Sequence, residues 1–189
     1  MRSAGLDFET FAVDVDESVR NGEAPNAYVR RLAMEKSARA EAVLMSGVAP
    51  AGPPPVMSAG PADRLVLGAD TAVVVGGHIL GKPQDAADAG RMLRLLSGRR
   101  HVVLTGFSLR CNGTESGSVE STSVEFLSLS EADLQWYLAS GEGADKAGGY
   151  AIQGLASRFV TRIDGSYSNV VGLPVAQVYY LIGCLASPG

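Results

Sequence analysis

The segment from Leu65 to Pro83, LVLGADTAVVVGGHILGKP, most constrains what this chain can fold into. The apolar run Leu65-Val66-Leu67 suits a buried strand. Gly68-Ala69 keeps the backbone slim ahead of a carboxylate, Asp70, and Thr71 to Val75 is a β-branched and apolar second stretch of strand. Gly76-Gly77 signals a hairpin, Ile79-Leu80 begins the return strand, and Gly81-Lys82-Pro83 ends it, because proline cannot donate into a ladder. Two registers follow. A two-residue loop pairs Val75 with His78 and Thr71 with Lys82, which sends Asp70 and Lys82 to opposite faces. A three-residue loop pairs Val74 with His78 and sets Lys82 directly opposite Asp70, with Cβ atoms about 5 Å apart. The second register is preferred. The pair it makes reads equally as a functional site or as an ion pair at a sheet end.

At 189 residues the chain can bury a sizeable core, as one domain or as two small lobes sharing a cleft. Its net charge of −4 argues against nucleic acid or an anionic membrane as the main partner. Cys111 and Cys184 are the only cysteines and lie far apart, which fits a reducing cytosol rather than a disulfide framework or a zinc cluster. His78 and His101 are the only histidines, so a multi-histidine metal site is excluded. No apolar run reaches the roughly 18 residues of a membrane span, and the start does not resemble a signal peptide.

Along the chain, Arg2 to Gly5 reads as the tail of a helix capped by Gly5, and Phe11 to Val15 alternates as a strand does. Asp14, Asp16 and Glu17 crowd its end and would repel one another unless a cation sits nearby; Asp14 and Asp16 by themselves read as a solvated turn. Pro25 suits a first helical position, and a helix runs from there to about Met45. Its stripe is expected through Tyr28, Leu32, Met34-Glu35, Ala38 and Ala42, with Arg30, Arg31, Lys36 and Arg39 solvated. Ser46 to Asp63, rich in proline and glycine, is expected to be a passive, exposed insertion loop. A helix from Asp85, its cap, to Leu96 buries Met92, Leu93, Leu95 and Leu96 and stops at Gly98. Val102 to Arg110 is a strand in which Thr105-Gly106 implies close backbone approach, and His101 at its start reads as structural. Asn112-Gly113 is a hairpin turn into the strand Gly117 to Leu127. Ser130 to Asp133 is a capping box for a helix to Ala139. The stretch from Gly141 to Gly154 suits either a loop whose amides approach a phosphate or a long flexible connection. Phe159 to Ile163 is a strand, Asp164 to Tyr167 a turn, and Val175 to Leu185 a final helix, apolar almost all round and so expected to be buried.

Taken together and in order, Gly68-Ala-Asp-Thr71, Leu80-Gly-Lys-Pro83, Leu96-Ser-Gly98 with His101, Thr105-Gly106, Gly141-Glu142 with Asp145-Lys-Ala-Gly148, Tyr150-Ala-Ile-Gln-Gly154 and Asn169-Val-Val-Gly-Leu-Pro174 resemble the Maf-like nucleoside triphosphate pyrophosphatases. The resemblance implies an α/β fold like that of the inosine triphosphate pyrophosphatases: a mixed central sheet with flanking helices, two lobes around a cleft, and a single domain over residues 1–189. It implies cleavage of the α–β phosphoanhydride of a nucleotide, giving a monophosphate and pyrophosphate, with a divalent cation, magnesium or manganese, in a cytoplasmic protein that pairs as a homodimer. Asp70 matches the family's proton acceptor. Glu17, Lys36, Lys82 and Gln153 match site positions, and Thr71 and Gln153 match positions that set base preference, resembling the dTTP/UTP branch rather than the 7-methyl-GTP branch. Glu17 and Asp70 are then the candidate cation ligands, and Lys36, Lys82 and Lys146 the candidate clamps on the triphosphate. The family's Ser-x-Ser-Pro-Arg-Arg turn is absent here, with Met1 to Gly5 aligning with the end of the helix that follows it. On that ground reduced activity and stability are expected, and a nucleotide-binding regulator of septum formation with little turnover is the reading from another class.

Overall fold

In the computed structural model, which describes residues 5–46 and 65–186, Val66 to Val75 forms one unbroken strand, β1, across Gly68-Ala69. It belongs to a five-stranded sheet ordered β2-β1-β3-β4-β5, with β2 at His78–Leu80, β3 at Arg100–Cys111, β4 at Thr114–Phe126 and β5 at Val160–Asp164. The helices are α1 (Pro25–Met45), α2 (Ala86–Leu96), α3 (Glu131–Ser140), α4 (Tyr167–Val171) and α5 (Val175–Ala186). The expected α/β class, a central sheet with helices, is what the chain forms. The expected helix tail at Arg2 to Ala4 and nearly all of the expected insertion loop lie outside the described residues.

The preferred hairpin register is corrected. Val75 pairs with His78, Val74 with Ile79 and Val73 with Leu80, so the loop is the two-residue one. Gly76 and Gly77 both take positive φ, 56° and 82°, the conformation that matches the twist of the flanking strands. Lys82 therefore does not stand opposite Asp70, and β2 ends before reaching it.

The described residues divide into two compact units. The first comprises the chain up to Asp70, Gly106 to Val119, and the stretch from Pro174 onward. Here α1 begins at Pro25 and buries Tyr28 and Leu32 as expected, but Val29, Ala33, Ser37 and Ala40 are buried with them, while Met34 and Ala42 are exposed. The reason lies in the strands. A methyl group on Gly106 would overlap the Val29 carbonyl, and one on Gly68 would overlap the Ala33 carbonyl, so the small face of α1 lies directly on β-strand backbone. A polar seam beside it joins the same helix to β3 and β4. Arg30 donates to both carboxylate oxygens of Glu115 at 2.8 and 3.0 Å, Ser108 donates to Glu115 at 2.6 Å, and Ser37 shares a 2.8 Å hydrogen bond with Ser108. Phe11 to Val15 is not a strand: its side chains alternate between half-buried and exposed, but it pairs with no ladder. The expected burial of α5 is also corrected. Val178 is fully buried, but Tyr179 and Tyr180 are 65% and 73% exposed, because an apolar helix is covered only where another element lies against it.

The second unit comprises Thr71 to Thr105 and Glu120 to Leu173. Its core joins Val73, Leu80, Leu93, Leu96, Val124, Leu134, Tyr137, Tyr150 and Phe159. Asp85 caps α2 by accepting from the Asp88 amide at 2.8 Å, and Ser130 with Asp133 forms the expected capping box of α3. His101 is structural, as its position implies. It is buried and hydrogen-bonded to the Tyr150 hydroxyl at 2.9 Å, with edge contacts to Phe126 and Tyr150. Beyond the expected turn at Asp164 to Tyr167, residues Tyr167–Val171 form the short α4 with Ser166 as its cap.

Candidate functional site

Three of the expected site residues meet within the first unit. Lys36 projects from α1, Asp70 lies on β1 two residues beyond the glycine on which α1 sits, and Glu17 comes from the irregular chain ahead of the helix. The Lys36 ammonium lies 2.6 Å from Asp70 Oδ1 and 2.7 Å from Glu17 Oε1. Burial alone would lower the pKa of Lys36; the hydrogen bonds and charges of Asp70 and Glu17 outweigh it and raise it, so the ammonium keeps its charge at neutral pH. Of the acidic crowd at Asp14 to Glu17, Glu17 has a cation against it.

Glu17 has helpers that the residue pattern did not reveal. The Tyr28 hydroxyl donates to the Glu17 carbonyl at 3.0 Å. Arg31 donates to the carbonyl on each side, Asp16 at 3.3 Å and Ser18 at 3.0 Å. Arg31 is itself gripped by both oxygens of Glu23, at 2.6 and 2.9 Å, which holds the Glu23 carboxyl down at about 2. Tyr28 is buried in its expected stripe, whereas Arg31, expected in solvent, has a side chain only 12% exposed. A signal was present, because Tyr28 and Arg31 stand at i and i+3 of one helix, a spacing that puts them side by side.

The remaining expected residues lie in the second unit, each in its own surroundings. The Thr71 hydroxyl shares a 2.9 Å hydrogen bond with Thr105 and lies 3.3 Å from the Gly172 carbonyl. Lys82 is exposed. Lys146 grips both oxygens of Asp145 at 2.8 Å; that bond, joined by the nearby Lys82 charge, holds the Asp145 carboxyl below its usual range. Gln153 is exposed on a turn. Within the 141–154 stretch several amides are already bonded. Gly148 donates to the Gly81 carbonyl, Lys146 to Gly143, Gly149 to Lys146 and Gly154 to Ala151, while Glu142 accepts from Leu155 and Ala156.

As for a cation, Glu17 and Asp70 reach one common positive centre with hard oxygen atoms, the donor type that magnesium and manganese prefer. Among the described residues no group of three or more His, Cys, Asp or Glu is arranged to hold a metal ion. Two protein carboxylates fit magnesium, which commonly takes one or two and completes its shell with water and phosphate. Among the described residues no helix is long and apolar enough to cross a membrane.

The chain is 48% identical over 182 residues to a dTTP/UTP pyrophosphatase of Anaeromyxobacter dehalogenans, covering 94% of this chain and 83% of that protein. It is 48% identical over 176 residues to a dTTP/UTP pyrophosphatase of Shewanella oneidensis, with 93% and 83% covered. A dTTP/UTP pyrophosphatase of Syntrophus aciditrophicus is 43% identical over 176 residues, with 92% and 78% covered. The model of the Maf-like protein family matches residues 1–184, and on that match and these identities the chain belongs to the Maf-like family.

Proposed function

We propose that this protein hydrolyses dTTP and UTP to the monophosphate and pyrophosphate, with Asp70 as the base that activates water. The observation that carries this reading is the convergence of Glu17 and Asp70 on the Lys36 ammonium. Asp70 accepts the proton of the attacking water; a new P–O bond forms as one P–O bond of the α–β bridge breaks, and pyrophosphate leaves. Lys36, charged at neutral pH, is placed to face the negative charge of the triphosphate. Glu17 and Asp70 would hold the divalent cation, which when bound supplies charge neutralisation and lowers the pKa of coordinated water. Lys82 and Lys146 offer further ammonium groups for the phosphate tail. Thr71 and Gln153 read the base, where a glutamine amide can both donate to and accept from a pyrimidine edge. The names of the relatives support the pyrimidine choice over 7-methyl-GTP.

The test is pyrophosphate release from dTTP, UTP, CTP, GTP and 7-methyl-GTP with magnesium or manganese. Release confined to dTTP and UTP is expected, and Asp70→Asn should lower kcat by about 10²–10⁴-fold while nucleotide binding persists. An active Asp70→Asn protein contradicts the role of Asp70. Binding of dTTP without release, in the unaltered chain, would favour a nucleotide-binding regulator instead.

A further inference from the structure

We propose that Tyr28 and Arg31 are positioning residues that clamp the backbone around Glu17 and so present its carboxylate to the site. The proposal rests on the reading of Glu17 given above.

The argument starts from what the chain around Glu17 lacks. Residues 6–20 form neither helix nor strand, so no backbone ladder fixes Glu17. Its side chain is 51% exposed, so packing does not fix it either. Three consecutive carbonyls are captured instead by two side chains of α1: Asp16 and Ser18 by Arg31, and Glu17 between them by Tyr28. An arginine fork presents several donors in a fixed plane, so Arg31 can span two carbonyls in a way a single ammonium cannot. The fork is immobilised in turn. Glu23 holds it with two short hydrogen bonds, and Glu35 accepts from it at 3.3 Å. Tyr28 is buried, and its ring lies beneath the Arg31 guanidinium at 5.7 Å. Further along, Arg20 ties the segment back to α1 through Glu35 at 3.0 Å. Lys36 lies on that same helix. The helix that carries the site's ammonium therefore also sets the height and direction of the Glu17 peptide, and Glu17 meets Lys36 and Asp70 without secondary structure of its own.

The test is a mutant cycle on the full chain. Tyr28→Phe keeps the ring and loses one hydrogen bond; Arg31→Lys keeps the charge and loses the two-carbonyl span; Glu17→Gln keeps shape and removes the charge. Each of the first two is expected to lower kcat for dTTP by about 10-fold, within the roughly 10²-fold that an ångström of misplacement can cost. In a Glu17→Gln background neither should lower it further, because both act through Glu17. Full additivity in that background, or unchanged kcat in Tyr28→Phe and Arg31→Lys, overturns the positioning role alone. A Glu17→Gln protein at the unaltered rate overturns the role of Glu17 and the clamp's purpose with it. Amide hydrogen exchange reads the clamp without turnover: residues 14–20 should exchange faster in Tyr28→Phe while α1 keeps its protection, and unchanged exchange there overturns the proposal.

Discussion

Lys36 brings one positive charge into contact with two carboxylates, and that ratio sets what its removal does. Lys36→Met leaves Glu17 and Asp70 facing each other without a counter-charge. A loss of about 1–3 kcal/mol in urea denaturation is expected, toward the lower end because Glu17 is half exposed. Adding Asp70→Asn removes one of the two like charges, so the double variant should be more stable than Lys36→Met alone; equal or greater instability of the double variant contradicts the coupling. Residue identity foretold these partners only in part. Asp14, Asp16 and Glu17 demand a cation by Coulomb's law, and Lys36 was among the candidates. Which lysine would face Asp70 was misjudged. The glycine pair chose the two-residue loop and left Lys82 elsewhere, whereas the partner of Asp70 comes from a helix 34 positions earlier.

At the scale of elements, α1 is the part on which the first unit's site depends. It carries Lys36, Tyr28 and Arg31, and its height above the strands is set by two glycines. Gly106→Ala would push a methyl group into the Val29 carbonyl, so a loss of about 1–3 kcal/mol is expected together with a fall in kcat, since Lys36 moves with the helix. Ser130→Ala is the contrasting case. It removes the cap of α3, which carries none of the proposed site residues, and should cost about 1 kcal/mol while kcat stays unchanged. A Gly106→Ala protein that matches Ser130→Ala in both readouts would contradict the positional role of the glycine. The ends of α1, α2 and α3 were legible because caps, prolines and glycines act locally. The buried face of α1 was legible only in part: Tyr28 and Leu32 stand in the expected stripe, whereas Ala33 and Ser37 look unremarkable in a hydrophobicity pattern and are inside because small residues let two backbones approach.

At the scale of the whole molecule, acid is the informative stress. Burial, with a backbone interaction of Arg99 opposing it, holds His101 down at about 4, against an ordinary 6.5. The unfolded chain therefore takes up this proton first as pH falls. The stabilisation is complete above about 6.5 and declines as pH falls to about 4, by roughly 3 kcal/mol in all. Glu23, held at about 2 from 4.5, adds a second decline that runs from about 4.5 down to about 2. Urea midpoints measured from pH 7 to 4 should fall in the unaltered protein and stay nearly flat in His101→Gln; parallel slopes would show that His101 is not the group responsible. Taken alone, the amino-acid order determined the α/β class, the sheet-forming hairpin, the helix caps and the family, because propensity, turn preference and motif act over a few neighbouring positions. Only the tertiary structure decided that Lys36 pairs with Asp70 and Glu17, that Tyr28 and Arg31 seize the carbonyls around Glu17, and that α5 leaves its tyrosines in solvent. Each of these depends on which distant element lies against which, and that is settled by close packing rather than by local pattern.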